Sequence, residues 1–179
     1  MANNCFYDLK AVGTKESVNE LVQILQYKHP KVCFYRIFSA EVCDRGITPN
    51  GNHYVTVCGD VAWSIHSSML HEPMPGPKGW SDILTEADRL NLVVEIFSSE
   101  PGIGFQEHYI IRKGKIKVDE CPDYYEYWYD SSDWEGDTEK AKFTAFCKEY
   151  GLRNVSLKDL EDGCIYKVGG LPNYGEWSI

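Results

Sequence analysis

The segment Cys5–Leu25, CFYDLKAVGTKESVNELVQIL, decides the fold class of this chain because its hydrophobic period changes halfway along. Apolar residues alternate over Cys5–Val12, which predicts a strand with one buried face. Gly13 and Thr14 interrupt that pattern, and the Thr14 hydroxyl is suited to cap a helix. The apolar residues that follow are three or four positions apart: Val18, Leu21, Val22 and Leu25. A strand followed by an amphipathic helix is therefore predicted.

The flanking sequence extends this unit into a βαββαβ order. His29-Pro30 ends the helix, because a residue before proline disfavours the helical conformation. Strands are predicted at Val32–Cys43, Asn52–Trp63 and Leu92–Phe97, the last of which is nearly continuous in apolar character. A short helix, capped by Ser81 or Thr85, precedes the last of these strands. This order is typical of an α+β, ferredoxin-like fold.

Further elements follow the predicted core. Phe105–Arg112 and Lys115–Glu120 flank Lys113-Gly114, which predicts an added β-hairpin. A helix at about Thr138–Tyr150 and a strand at Cys164–Val168 form a predicted C-terminal helix-strand extension. We therefore expect a ferredoxin-like domain with the hairpin over 1–129. The rest, 130–179, is expected to be an acidic linker and the extension packing on that domain, with a loosely held tail after 170.

Composition restricts the class of protein. The 179 residues are 43% hydrophobic and 25% charged, as in globular proteins, and the net charge is −9. A negative chain is unsuited to direct nucleic-acid binding or to an anionic membrane surface. No secretory signal or apolar membrane span is evident, and the seven cysteines include no Cys-x-x-Cys pair. These features favour the cytoplasm and predict no metal and no cofactor.

The net charge is concentrated in one segment, residues 119–139. These 21 residues contain nine acids, six aromatics, and no lysine, arginine or histidine. The rest of the chain has 18 acids and 18 bases and is therefore formally neutral. We call this stretch the acidic segment.

Three interpretations of the acidic segment are open. It can be a solvated loop and edge strand whose acids maintain solubility. It can be a binding surface for a basic partner, because the acids accelerate encounter and the aromatic rings supply contact area. It can also be a calcium loop, but placing Gly136 at the glycine position puts Lys142 at the last ligand position, where it cannot coordinate.

One catalytic hypothesis arises from the predicted hairpin. His108 lies on the strand opposite Asp119 and Glu120, and an imidazole beside carboxylates can perform acid–base or metal-assisted hydrolysis. Strand alternation places Glu107 and His108 on opposite faces of the sheet. Only one of the two can therefore share a site with a given carboxylate.

Several segments resemble one family, the Api-like ferredoxin-fold accessory proteins of phages, plasmids and integrated elements. They are Met1–Leu9 (MANNCFYDL) with Gly13–Glu16, Gly59–Ser64 (GDVAWS), Leu90–Glu95 (LNLVVE) and Glu100–Tyr109 (EPGIGFQEHY). The resemblance covers about residues 1–125 and implies a ferredoxin-like domain carried by a mobile element. It implies no catalytic motif, and 126–179 departs from it.

The acidic segment and the resemblance together favour a non-enzymatic inhibitor of a host defence that targets nucleic acids. By analogy with other mobile-element inhibitors, we expect an anti-CRISPR protein that binds Cas9 in the bacterial cytoplasm. The expected binding residues are Asp123, Tyr125, Glu126, Trp128, Asp130, Asp133, Trp134, Glu135 and Asp137. The alternatives are a nuclease that shortens guide RNA or DNA through His108, Asp119 and Glu120, and a regulatory module that binds another basic protein.

Overall fold

A computed structural model of the chain describes residues 4–70, 79–127, 136–152 and 166–179. The helices in these ranges are α1 (Lys15–Leu25), α2 (Ile83–Arg89) and α3 (Glu139–Glu149), with a short π-helical segment at His66–Leu70. The first six strands are β1 (Asn4–Gly13), β2 (Ile37–Ile47), β3 (His53–Ala62), β4 (Val93–Glu100), β5 (Phe105–Arg112) and β6 (Lys115–Glu120). Two short strands follow, β7 (Tyr124–Tyr127) and β8 (Tyr166–Gly169).

The fold is α+β and is built on a six-stranded sheet in the order β2-β3-β1-β4-β5-β6. Every neighbouring pair in this sheet is antiparallel. Strands β7 and β8 form a separate antiparallel pair. Strands β5 and β6 add to the sheet beyond β4, and Lys113 and Gly114 both have positive φ in the turn that joins them. The predicted hairpin is confirmed, and its turn has the backbone twist that suits antiparallel strands.

The main core lies between one face of this sheet and α1, α2 and the π-helical segment. In β1, Cys5, Tyr7, Leu9 and Ala11 are at most 1% exposed, as their alternation predicts. All four residues of the predicted α1 stripe are also buried. The Thr14 hydroxyl accepts a hydrogen bond from the Ser17 amide at 3.1 Å, which confirms the predicted cap. We call this the helix face of the sheet and the opposite side the outer face.

Three local predictions are wrong. Residues 32–36 precede β2 rather than belong to it; Cys33 pairs only with Trp80, and Arg36 has a φ of 52°. Asp82 caps α2, rather than Ser81 or Thr85. Its carboxylate accepts a hydrogen bond from the Thr85 amide at 2.8 Å. The tail after 170 is held against the outer face, because polar groups of distant strands bind its backbone.

Candidate functional site

The described part of the acidic segment lies at the β6 edge of the sheet and in the chain that follows it. Asp119 and Glu120 end β6, and both are exposed. Asp123 and Asp137 are exposed, and Glu139 is in the first turn of α3. Tyr125 and Glu126 are residues of strand β7. The remaining predicted binding residues lie outside the described residues: Trp128, Asp130, Asp133, Trp134 and Glu135.

The exposed carboxylates in the described part of this segment are not neutralised by described lysine or arginine side chains. Among the described residues, no lysine or arginine forms an ion pair with Asp119, Glu120, Asp123 or Asp137. Glu120 contacts His108, and Glu139 pairs with Lys142 within α3. One aromatic of the segment is not available as a contact surface, because Tyr124 is only 3% exposed.

Strand register brings His108 and Glu120 together on the outer face. Phe97, His108 and Glu120 lie directly opposite one another across β4, β5 and β6. The distance from His108 Nδ1 to Glu120 Oε2 is 3.1 Å. The His108 ring stacks on Phe97, with 4.3 Å between centroids and 4° between planes. The predicted pairing of His108 with Glu120 is therefore present.

Asp119 is on the other side of the sheet. It lies opposite Tyr109, a member of the core, and directly opposed residues in antiparallel strands share a face. His108 and Asp119 therefore do not form one site, and the nuclease hypothesis loses one of its three residues.

Glu107 is also on the helix face, and it has a structural role there. The side chain is buried, and its carboxylate accepts hydrogen bonds from the Ile65 amide at 2.7 Å and the Ser98 hydroxyl at 2.6 Å. It also accepts from the His66 amide at 3.2 Å and the Tyr109 hydroxyl at 3.1 Å. Burial and this carboxylate raise the pKa of the Tyr109 phenol, so the phenol stays protonated and donates.

Glu95 completes the outer-face cluster and was missed by the sequence reasoning. Its side chain is 0% exposed, and Oε1 lies 2.9 Å from His108 Nε2. The Ser178 amide donates to Oε2 at 2.7 Å, the Ser178 hydroxyl to Oε1 at 2.9 Å and the Ile179 amide to Oε2 at 3.2 Å. The signal for this residue was an acid inside the apolar run of β4, since such an acid is buried only with partners.

The tail held by Glu95 forms a strap over the outer face, which we call the C-terminal strap (residues 170–179). The Leu171 amide donates to Gln106 Oε1 at 2.8 Å, and the Lys10 ammonium donates to the Ile179 carbonyl. The rings of Tyr174 and Trp177 each lie 5.4 Å from that of Phe97. Burial, with a smaller effect from Asp8, raises the pKa of the Tyr174 phenol.

A cavity of about 570 Å³ opens between the C-terminal strap and the sheet, and we call it the strap pocket. Carboxylates, one imidazole and apolar groups line it together. The lining includes Glu95, Phe97, His108, Glu120, Pro122, Leu171, Pro172 and Glu176. This volume is within the range of small-ligand sites, which combine apolar walls with a few polar groups.

The chemistry of the strap pocket is that of a negatively charged site. It contains three carboxylates and a single histidine, so its acidic side chains outnumber its basic ones. Among the described residues, no group of three or more histidine, cysteine or acidic side chains has the arrangement of a metal site. Comparisons with known protein families, curated proteins and solved structures found no match to this chain.

Proposed function

We propose that this protein binds a basic surface of a partner protein through the acidic segment and blocks that surface without catalysing a reaction. The observation that carries this proposal is the set of exposed carboxylates with no lysine or arginine partner among the described residues. Like charges in one segment repel one another, and a cationic partner converts this repulsion into attraction.

The fold and the resemblance give the biological setting of the proposal. The spatial order β2-β3-β1-β4 splits both βαβ units, since β3 lies between β1 and β2 and β1 lies between β3 and β4. This arrangement supports a ferredoxin-like core with β5 and β6 added. Together with the Api-like segments, it supports a mobile-element accessory protein that acts in the bacterial cytoplasm. The longest described helices, α1 and α3, have 11 residues, and none in the described ranges is a candidate for crossing a membrane.

The proposed partner is a nucleic-acid-targeting defence effector, with Cas9 as the specific candidate. Such an effector holds nucleic acid in a positively charged channel, and carboxylates can occupy phosphate positions there. The partner supplies the positive charge, so no direct nucleic-acid binding by this chain is needed. The proposal is therefore an anti-CRISPR activity based on competition for a groove.

The test is inhibition of DNA cleavage by a purified Cas9–guide complex. We expect the protein to inhibit and the variant Asp119→Lys/Asp123→Lys/Asp137→Lys to lose inhibition. The matched control Glu16→Lys/Glu41→Lys/Asp88→Lys changes exposed acids elsewhere and gives the same net charge, −3. Failure of the unmodified protein to inhibit would reject Cas9 as the partner. Equal inhibition by both variants would reject the acidic segment as the binding surface. Binding to a different basic protein, without inhibition, would support the regulatory-module alternative.

A second candidate function, effector-dependent cleavage of guide RNA or DNA, is favoured by the contact between His108 and Glu120 at the strap pocket. It predicts a shortened guide after incubation with the effector and intact guide with His108→Ala. Gel analysis with and without a chelator separates this candidate from blocking, because the blocking protein leaves the guide at full length.

A further inference from the structure

We infer that the strap pocket receives an arginine side chain of the basic partner, an inference that rests on the proposed function and names the contact it uses. The pocket adjoins the acidic segment directly. Three residues near the start of that segment also line the pocket: Glu120, Cys121 and Pro122. A basic protein bound along the segment therefore has access to the opening.

Of the three carboxylates that line the pocket, one has all its acceptor positions occupied, and two can still accept hydrogen bonds. Glu95 accepts three hydrogen bonds from the strap, and its Oε1 also lies 2.9 Å from His108 Nε2, so all its acceptor positions are occupied and it positions His108 and the strap. Glu120 Oε2 lies 3.1 Å from His108 Nδ1, and the Glu120 side chain is 57% exposed. Glu176 is exposed, and no described lysine or arginine pairs with it. Glu120 and Glu176 can therefore accept hydrogen bonds from a ligand.

The apolar residues of the lining favour an arginine over a lysine side chain. Pro122, Leu171 and Pro172 provide apolar contact for the methylene groups of a side chain. Guanidinium is planar, is less strongly hydrated than ammonium and donates to carboxylates in pairs. His108 lines the pocket between two carboxylates, whereas Lys10 binds the Ile179 carbonyl and does not line the pocket.

The test is a titration with the blocked peptide acetyl-Gly-Arg-Gly-amide, followed through the backbone amide resonances of Leu171, Ser178 and Ile179. The control peptide has citrulline in place of arginine, which keeps the shape and removes the charge. We expect saturable shifts with the arginine peptide and much weaker shifts with citrulline. Glu120→Gln/Glu176→Gln is expected to weaken binding roughly tenfold or more, whereas Glu16→Gln/Glu41→Gln is expected to leave it unchanged.

The absence of saturable shifts, or equal shifts with the two peptides, would overturn the inference. The resonances themselves report whether a variant keeps its folded strap. Arginine-peptide binding without inhibition of the effector would reject the proposed function and leave the pocket assignment standing. Inhibition that survives Glu120→Gln/Glu176→Gln, in a protein that does not bind the peptide, would reject only the pocket assignment.

A separate observation at the opposite edge of the sheet supports a second inference. Cys43 and Cys58 lie on β2 and β3, and their Sγ atoms are 2.7 Å apart. Cys43 occupies an irregularity in the β2–β3 register and is exposed. We propose that this pair is an oxidisable dithiol. It forms an intramolecular disulfide by exchange with a low-molecular-weight disulfide such as oxidised glutathione.

The disulfide forms through two successive thiol–disulfide exchanges. The Cys43 thiolate attacks oxidised glutathione, forms a mixed disulfide and releases one glutathione thiolate; Cys58 then attacks the Cys43 sulfur and releases the second. Two cysteine sulfurs are oxidised, one glutathione disulfide is reduced to two thiols, and the two cysteine protons pass to the released thiolates. Cys43 is exposed and Cys58 is half-buried, so Cys43 is the first nucleophile. The hydrogen bond with Cys43 is the main cause that raises the pKa of Cys58 to about 11.

The test is mass spectrometry of the folded protein after treatment with oxidised glutathione. We expect a peptide linking Cys43 to Cys58, with a mass two hydrogen atoms below the sum of the two thiol peptides, and a melting temperature raised by roughly 5 °C or more. Cys58→Ser is expected to hold one glutathione on Cys43, as exposed Cys121 does in both proteins. A stable glutathione adduct on each of Cys43 and Cys58 in the unmodified protein, or a link between other cysteines, would overturn the proposal.

Discussion

Two buried glutamates, Glu95 and Glu107, perform the same task on opposite faces of the sheet. Each carboxylate makes four polar contacts, and each holds a segment that is not part of the sheet. Glu107 holds the start of the π-helical segment, and Glu95 holds the C-terminal strap. A buried carboxylate costs free energy unless it is paired, so these bonds explain why both acids are tolerated inside.

Replacing Glu107 with alanine is expected to lower the free energy of unfolding by about 3 kcal/mol or more. The substitution leaves two backbone amides and two hydroxyls without their acceptor in a buried site, where each loss costs about 1–3 kcal/mol. Urea unfolding measures the effect. Exposed Glu41→Ala is the control and should change stability by about 0.5 kcal/mol or less. A small effect for Glu107→Ala would show that water replaces the carboxylate.

Alkaline pH is expected to destabilise the protein through Cys5. Burial is the main cause that raises the pKa of Cys5 from 9.0 to about 12 in the folded chain. Between these values the folded state keeps a proton that the unfolded state has lost, so the free energy of unfolding falls as pH rises, by about 1.4 kcal/mol per pH unit. Urea denaturation measured between pH 8 and 10.5 should show that the free energy of unfolding falls less steeply with pH in Cys5→Ala than in the unmodified protein. Parallel curves for the two proteins would contradict this assignment.

At this scale the sequence predicted the partner of His108 only in part. Alternation and the hairpin correctly placed Glu107 and His108 on opposite faces, because both depend on neighbouring residues. The choice between Asp119 and Glu120 required the register of β5 and β6, which shifts between Ile110 and Ile111. No local pattern in the sequence predicts that irregularity.

At the scale of elements, local signals predicted the helices and strands of the first 120 residues better than the tail. The α1 stripe and its Thr14 cap involve residues within one or two turns, so a single sequence specifies them. The C-terminal strap has no periodicity. It is fixed by Gln106 and by Glu95, which lies 83 residues from Ser178. Contacts of that separation are not encoded in a local pattern.

Removing the Glu95 carboxylate is expected to release the C-terminal strap while the sheet stays folded. In Glu95→Ala, the Ser178 and Ile179 amides lose their acceptor, so their hydrogen exchange should become at least tenfold faster. Amides in the centre of β1 should exchange at an unchanged rate. Glu176→Ala, at an exposed residue of the strap that makes no contact with Glu95 among those described, is the matched control. Unchanged exchange at Ser178 in Glu95→Ala would mean that the aromatic contacts with Phe97 hold the strap alone.

At the scale of the whole molecule, the dominant property is the uneven distribution of charge. Nine acids in 21 residues account for the full net charge, and this could be read from the sequence alone. Whether the acids remain accessible depends on tertiary structure. Asp119, Asp123 and Asp137 are exposed, whereas Tyr124 is buried, so charge is available at the described part of the segment and this ring is not.

The affinity of the protein for a purified Cas9–guide complex, measured at two salt concentrations, tests the central claim most directly. We expect binding that weakens with added salt and is lost in Asp119→Lys/Asp123→Lys/Asp137→Lys, but is retained in the equally charged Glu16→Lys/Glu41→Lys/Asp88→Lys. Equal affinities for these two variants, or binding that does not depend on salt, would contradict it.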